Sequence, residues 1–306
     1  MPVINVNGTS LLVSGRFIRV GEIYDECWLE KESVGNPEQI INSIRDSRIQ
    51  IDIFSFSQKL SETTSKYNYY MEWDNVAAIP ITTFNEWWTR LPQATRKNVR
   101  RSVKRGVHVE VTEFNDEFVK GIVNIYNETP TRQGRRFWHY GKDFDTVKMI
   151  NSNYLANCDF IGAYLKDELI GFLKLVYIGE EARIMQIISM VKHQDKRPTN
   201  ALIAKAVEIS GKRQMKYFIY GKYIYGKKTN SPIIEFKNRN GFEMVNIPKY
   251  YIPLNTKGKI FLKLKLHHGI NGLIPGKIIN YIVTLRAKWY EITMEERSEN
   301  EDKIRI

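Results

Sequence analysis

Cysteine is almost missing from this chain: Cys27 and Cys158 are the two among 306 residues. They lie too far apart in sequence for a disulfide framework or a closely spaced metal site. They suit a reducing compartment, so a cytoplasmic location is expected. Long uncharged apolar runs are missing too. Ile278–Leu285, near the C-terminus, is short and flanked by Lys277 and Arg286, so no membrane span is expected. The opening residues Met1–Asn7 show no basic stretch leading into an apolar one, so no signal peptide is expected. Clustered His, Cys or carboxylate ligands are not evident along the sequence, and no metal is expected. Repeats and low-complexity tracts are lacking.

What is present is a chain able to build a core. Apolar residues make up 42% and charged residues 26%, which excludes wholesale disorder. The length allows two modest domains or one large one. Lys and Arg number 46 against 34 acids, a net charge of +12. Such a surface draws nucleic acid, anionic headgroups or phosphorylated small substrates, and a simply basic protein has the same composition. Part of the excess is concentrated between Thr95 and Gly106, where Arg96, Lys97, Arg100, Arg101, Lys104 and Arg105 occur without an acid. Thr95 is the expected N-cap and Gly106 the expected C-terminal glycine of a helix. Val99 and Val103 mark a thin apolar stripe. Like charges at helical spacing repel, so this helix calls for bulk water or an anionic partner.

Periodicity divides the rest. Strand character over Thr9–Ile23 breaks at Gly15, and Pro37–Asp46 reads as a helix. Ile49–Phe56 alternates like a half-buried strand. Tyr69–Ile81 is a strand and Thr83–Arg90 a short helix. Then follow a strand at Val107–Val111 and helices at Asp116–Thr129 and Asp143–Asn153. Phe160–Leu165 and Leu169–Ile178 form a hairpin, Ala182–Val191 is a strand, and Thr199–Gly211 is a helix. Strands at Tyr217–Tyr220 and Phe242–Ile252 precede a helical tail from Gly276 to about Glu296. This order implies an α/β (α+β) fold: a mixed, mostly antiparallel sheet with helices on both faces.

Three stretches carry a resemblance. They are the basic helix, Arg197-Pro198-Thr199-Asn200-Ala201-Leu202 before a helix, and Phe236-Lys237 followed by Gly241-Phe242 and a closing strand. Together they resemble the FemAB-like acyltransferases, a branch of the GNAT superfamily, over roughly Ala94–Leu254. The resemblance implies a GNAT-type catalytic domain at 84–254, a reduced GNAT-like half at 1–83 and a helical tail at 255–306. It implies transfer of an acyl group from a thioester, acyl-CoA-like donor to an amine, in cell-wall or polysaccharide metabolism. A tRNA-dependent aminoacyl transferase of the same fold is one alternative, and a non-enzymatic nucleic-acid or anionic-surface module is another. No permanently bound cofactor is implied, since acyl-CoA or aminoacyl-tRNA serves as donor substrate.

Candidate residues follow. Lys237 is expected beside a cleft, where it would steady an oxyanion. His193 and His139 are candidate bases, because imidazole titrates near neutrality. Tyr220 and Tyr225, bracketing Gly221-Lys222, are candidate acids or edge-of-core rings. Arg135 and Arg136, beside Arg132, Trp138 and Tyr140, are expected on a loop that grips a phosphorylated or sugar substrate. In ordinary GNAT enzymes a Gly-rich turn holds the coenzyme A pyrophosphate. Lys196, Arg197, Thr199 and Asn200 occupy the corresponding turn without glycines. They can bind an anion, or Thr199 or Asn200 can simply cap the helix. Lys222 is a further anion contact, and Arg96, Lys97, Arg100 and Arg101 are the expected RNA contacts.

Overall fold

The computed structural model describes residues 3–29, 36–47, 49–226 and 231–268. The first elements are β1 (Val3–Val6), β2 (Thr9–Ser14), β3 (Val20–Ile23), α1 (Pro37–Asp46), β4 (Ile53–Ser57) and β5 (Tyr70–Pro80). Next are α2 (Phe84–Arg90), α3 (Gln93–Lys104), β6 (Val107–Thr112), α4 (Asp116–Asn127), β7 (Thr131–Arg132), β8 (Arg135–Arg136) and α5 (Phe144–Asn151). After these run β9 (Cys158–Leu165), β10 (Glu168–Ile178), β11 (Glu181–Ser189), α6 (Pro198–Lys212), β12 (Tyr217–Ile219), α7 (Pro232–Arg239), β13 (Glu243–Pro253) and α8 (Thr256–Lys263).

The chain folds as two compact units. One takes Met1–Ala77, Lys222–Tyr225 and Met244–Pro275, and the other Ala78–Gly221 and Gly226–Glu243, so far as these are described. The cut differs from the expected segments 1–83, 84–254 and 255–306. The reason is pairing: β13 comes late in the chain yet bonds antiparallel to β4, with Lys249 opposite Ser57. The tail expected over Gly276–Glu296 lies outside the described residues. Among the described residues no helix is long and apolar enough to cross a membrane.

In the first unit α1 begins where local chemistry dictates. The Asn36 side chain accepts the Glu38 N–H, Pro37 opens the helix, and Ile41 and Ile44 are buried. β4 corrects the half-buried expectation: Ile53, Phe54, Ser55 and Phe56 are all buried. The strand is paired on both edges, parallel to β3 and antiparallel to β13. Phe56 and Tyr250 meet in the core with ring centroids 5.0 Å apart.

In the second unit β6, β9, β10 and β11 run antiparallel, and β12 lies parallel to β11. The Gln186 side chain meets α4 through Tyr126, while that of Ser189 meets α6 through Thr199. Residues 186 and 189 point to opposite faces of a strand, so α4 and α6 cover opposite faces of this sheet. β12 stays paired with β11 over only Glu181–Arg183, and β11 runs on to Ser189 without it.

α3 departs from expectation in detail. It starts at Gln93 after Pro92, and Thr95 is not its cap: the Thr95 hydroxyl donates to the Arg239 carbonyl at 2.8 Å. Val103 is exposed, and the buried positions are Thr95 and Ser102. The helix packs against α6. Gly106 does close it, with φ +81°, in the region where glycine is least strained.

Candidate active site

The site is built where α6 begins. Arg197 adopts the left-handed conformation (φ 59°) and Pro198 is the first helical residue. The Asn200 and Ala201 N–H groups turn back to the Arg197 carbonyl at 3.2 and 3.4 Å. Neither Thr199 nor Asn200 caps the helix, contrary to expectation, because both lie inside its first turn. The Thr199 hydroxyl instead pairs with that of Ser189 at 2.8 Å. Asn200 donates to the Asn240 side-chain oxygen at 3.1 Å. Lys196 and Arg105 both lie against the Asp195 carboxylate, at 3.4 and 2.8 Å.

Asn240 ties a second element to this one. It is buried at the end of α7, donates to the Phe236 carbonyl at 2.7 Å and accepts Trp87 Nε1–H on its own carbonyl at 3.1 Å. Gly241 then turns with φ +83°, and an added Cβ would come within 3.0 Å of Trp87 Nε1. Glycine is required there by conformation and by space together.

Pro232–Arg239 is helical, and the helix turns Lys237 inward, so its side chain is fully buried. Its ammonium lies 4.5 Å from the Tyr220 ring centroid. Burial pushes its pKa down to about 8. Tyr220 follows β12 and packs on Phe242, which stacks on Phe218. Lys222 and Tyr225 belong to the other unit. Lys222 contacts both Asp74 carboxylate oxygens at 2.9 and 2.7 Å, and Tyr225 is half exposed.

The end of β11 is clamped by Arg132, read from sequence as part of a substrate-gripping loop, and by Glu128, which the sequence did not single out. Arg132 donates to the Ser189 and Ile125 carbonyls at 2.8 and 3.0 Å and lies 4.3 Å from the Phe137 ring. The Glu128 carboxylate accepts the Val191 and Lys192 N–H groups at 2.7 and 2.8 Å. His139 stacks 4.3 Å from Tyr126, with Nε2 3.2 Å from the Gln186 amide nitrogen. Burial, with Lys142 and Arg132 nearby, pushes it down to about 4, so it is neutral at physiological pH. His193 pairs with Glu168 at 3.2 Å, beside the β9–β10 turn. Arg135 and Arg136 are exposed on β8, close in sequence to the exposed Trp138. Lys97, Arg100 and Arg101 are exposed on α3 and Arg96 half-buried, with Arg100 5.8 Å from the Trp88 ring.

No protein-family model and no curated relative matches the sequence. Solved structures do match. FemX aligns with TM-score 0.56 at 10% identity, over 85% of this chain and 88% of its own. The C-terminal domain of a putative lysylphosphatidylglycerol synthetase from Agrobacterium fabrum aligns with TM-score 0.52 at 11%, over 86% and 88%. L-PGS from Bacillus licheniformis aligns with TM-score 0.52 at 12%, over 84% and 85%.

This chain has the FemAB-like GNAT fold. Within that fold, the residues brought together are Lys237, Tyr220, Asn200 and Asn240 at the α6–α7 junction, with Thr199 against the end of β11. His193 pairs instead with Glu168, and Arg135 and Arg136 are exposed on β8. The junction offers a buried ammonium over an aromatic ring and a hydrogen-bonded amide pair, and a buried ammonium can steady negative charge that develops nearby. Asn240 and Trp87 were missed. The Asn240-Gly241 dipeptide is a turn signal that pointed to the first; Trp87 carries no comparable signal.

Proposed function

We propose that this chain is a transferase that moves an aminoacyl group from tRNA to an amine. The opening of α6 is the observation that carries the choice of donor. A pyrophosphate cradle needs several convergent main-chain N–H groups. Pro198 has none, and those of Asn200 and Ala201 face the Arg197 carbonyl. An RNA donor asks for something else, an extended run of cations. The acid-free α3 offers one, and it packs against α6. Solved neighbours named FemX and lysylphosphatidylglycerol synthetase support an aminoacyl cargo.

In this reading the acceptor nitrogen attacks the ester carbonyl carbon. A C–N bond forms, the ester C–O bond breaks, and the ribose hydroxyl leaves with the proton the amine gives up. Lys237 is the group proposed to steady the oxyanion, since an ammonium acts more strongly in a dry setting than in water. The thioester donor keeps one observation in its favour: β12 leaves β11 after Arg183, and a pantetheine-like arm could pair with the strand beyond that point.

The test is a salt titration of RNA binding, with transfer measured from aminoacyl-tRNA and from acyl-CoA. Replacing Arg96, Lys97, Arg100 and Arg101 by Gln should weaken RNA binding. It should also flatten the slope of log affinity against log salt, by about 0.7–0.9 for each phosphate no longer neutralised. Transfer from acyl-CoA by a parent that binds no RNA at low salt would favour the thioester donor. No RNA binding and no transfer from either donor would leave an anionic-surface module.

A further inference from the structure

The sequence suggested no metal ligands, yet the fold of the first unit assembles three. Glu72 lies near the start of β5, and His267 and His268 follow α8. Asn255 caps α8 through the Gly258 N–H at 2.8 Å. Its far end is reversed by Lys265 in the left-handed conformation (φ 56°), and the Leu266 N–H returns to the Phe261 carbonyl at 2.9 Å. That reversal turns His267 inward, where its side chain is fully buried, and leaves His268 half exposed.

Both imidazoles converge on one carboxylate. His267 Nε2 is 3.1 Å from Glu72 Oε1, and His268 Nε2 is 2.6 Å from Glu72 Oε2. One candidate ligand atom from each residue lies within 4.8 Å of the others. Tyr70 donates to Oε1 at 2.9 Å, and the Tyr251 ring is 4.5 Å from that of His267. His267 Nδ1 is buried and has no hydrogen-bond partner among the described residues, so the protein answers only one nitrogen of this ring. Two imidazole nitrogens and a carboxylate oxygen are a common zinc donor set. Tetrahedral bonds of about 2.0–2.1 Å place ligand atoms about 3.3 Å apart. The His267 pair is near that spacing already. The His268 pair needs a small opening, which a half-exposed side chain permits.

We propose that Glu72, His267 and His268 bind a zinc ion that pins the chain after α8 to β5, with water at the fourth position.

The full chain, stripped by chelator and dialysed, should be titrated with Zn²⁺ by calorimetry and with Co²⁺ by visible absorption. The expected result is about one metal per chain, the visible bands of tetrahedral Co²⁺, and a thermal midpoint raised by zinc. His268→Ala and Glu72→Gln should each weaken zinc binding by more than about a hundredfold, beyond the usual cost of losing an outer-sphere partner. Both should keep the parent's circular dichroism, because the first is half exposed and the second nearly isosteric. His108→Ala, at an exposed imidazole paired with Glu110, should bind zinc as the parent does. The proposal is overturned if the parent takes up no zinc at micromolar free metal. It is equally overturned if His268→Ala and Glu72→Gln bind as tightly as the parent, or if His108→Ala abolishes binding.

Discussion

Two lysines of the second unit, Lys174 and Lys237, are fully buried, and their surroundings differ. Lys174 rises from β10 to the C-terminal end of α5. There its ammonium donates to the Asn151 carbonyl at 2.7 Å and also to that of Asn153, with the Phe160 ring 5.2 Å away. The Asn151 carbonyl is among the acceptors a helix leaves unpaired at its end, where the dipole also favours a cation, and that of Asn153 follows just beyond it. Folding alone explains Lys174. Lys237 lies over Tyr220, and burial brings its titration to about 8. The contrast teaches that burial does not by itself mark a working lysine. Burial lowers the titration of both lysines, and what distinguishes them is position: Lys174 caps backbone carbonyls, whereas Lys237 lies over an aromatic ring beside the α6–α7 contact.

The sharpest way to break this comparison is Lys237→Met. Turnover should fall by roughly two to three orders of magnitude, the cost of one oxyanion-stabilising group, while the fold persists. Stability carries its own signature. A lysine whose folded pKa is depressed penalises folding at low pH, and the penalty is relieved as pH rises from about 8 toward the unfolded value. Relative to the parent, the methionine variant should therefore be most favoured near pH 7 and lose that advantage at pH 10. Denaturant titrations at both pH values, beside transfer assays, check this. Full turnover by the variant would reduce Lys237 to a structural group like Lys174.

Lys174→Met should do the reverse. It strands the buried Asn151 carbonyl and removes the bond to Asn153, so the variant should lose about 1–3 kcal/mol of stability. Turnover per folded molecule should match the parent. A variant that melts like the parent but does not transfer would invert the assignment. A smaller effect is expected at the junction. Asn240→Ala removes the bond from Asn200 and the one to Phe236, and should cost about 1–3 kcal/mol. If the amide pair positions Lys237, the drop in turnover should exceed the drop in folded fraction. Equal drops would make Asn240 a stability residue only.

How much of this was legible in the sequence depends on distance along the chain. α1 was legible because its cap, its leading proline and its isoleucine face are local. The Gly241 turn was legible for the same reason. β4 was misread as half-buried, because what covers its second face arrives with other segments. The full burial of Lys237 was not legible because α7 was not recognised as a helix, and the helix turns that side chain inward. The convergence of Glu72 with His267 was invisible, since 195 residues separate them and neither neighbourhood has ligand spacing. At the start of α6 the missing glycines were correctly seen as a departure, yet the caps assigned there were wrong. Arg197 takes up the strained conformation that a glycine would ordinarily occupy.

The least effect is expected at His139, which sharpens the comparison by exclusion. Imidazole attracts the role of general base because it ordinarily titrates near neutrality. Here burial and the two nearby cations hold His139 at about 4, so it carries no charge change between about pH 5.5 and 8. A transfer rate that steps within that range must take the step from another group. His139→Gln should leave the shape of the pH–rate profile unchanged and lower the rate by less than about tenfold, below the usual contribution of a general base. Stability should respond on the acid side. With the folded pKa below the unfolded value near 6.5, the unfolded chain gains the proton first, so stability present above pH 6.5 is lost as pH falls toward 4. The glutamine variant should lack that component, and its denaturation midpoint should fall less between pH 7 and pH 5 than the parent's. A profile step near pH 6.5 that vanishes in His139→Gln would show that this imidazole titrates in the working enzyme, and would place a general base on the β11 face that carries Gln186.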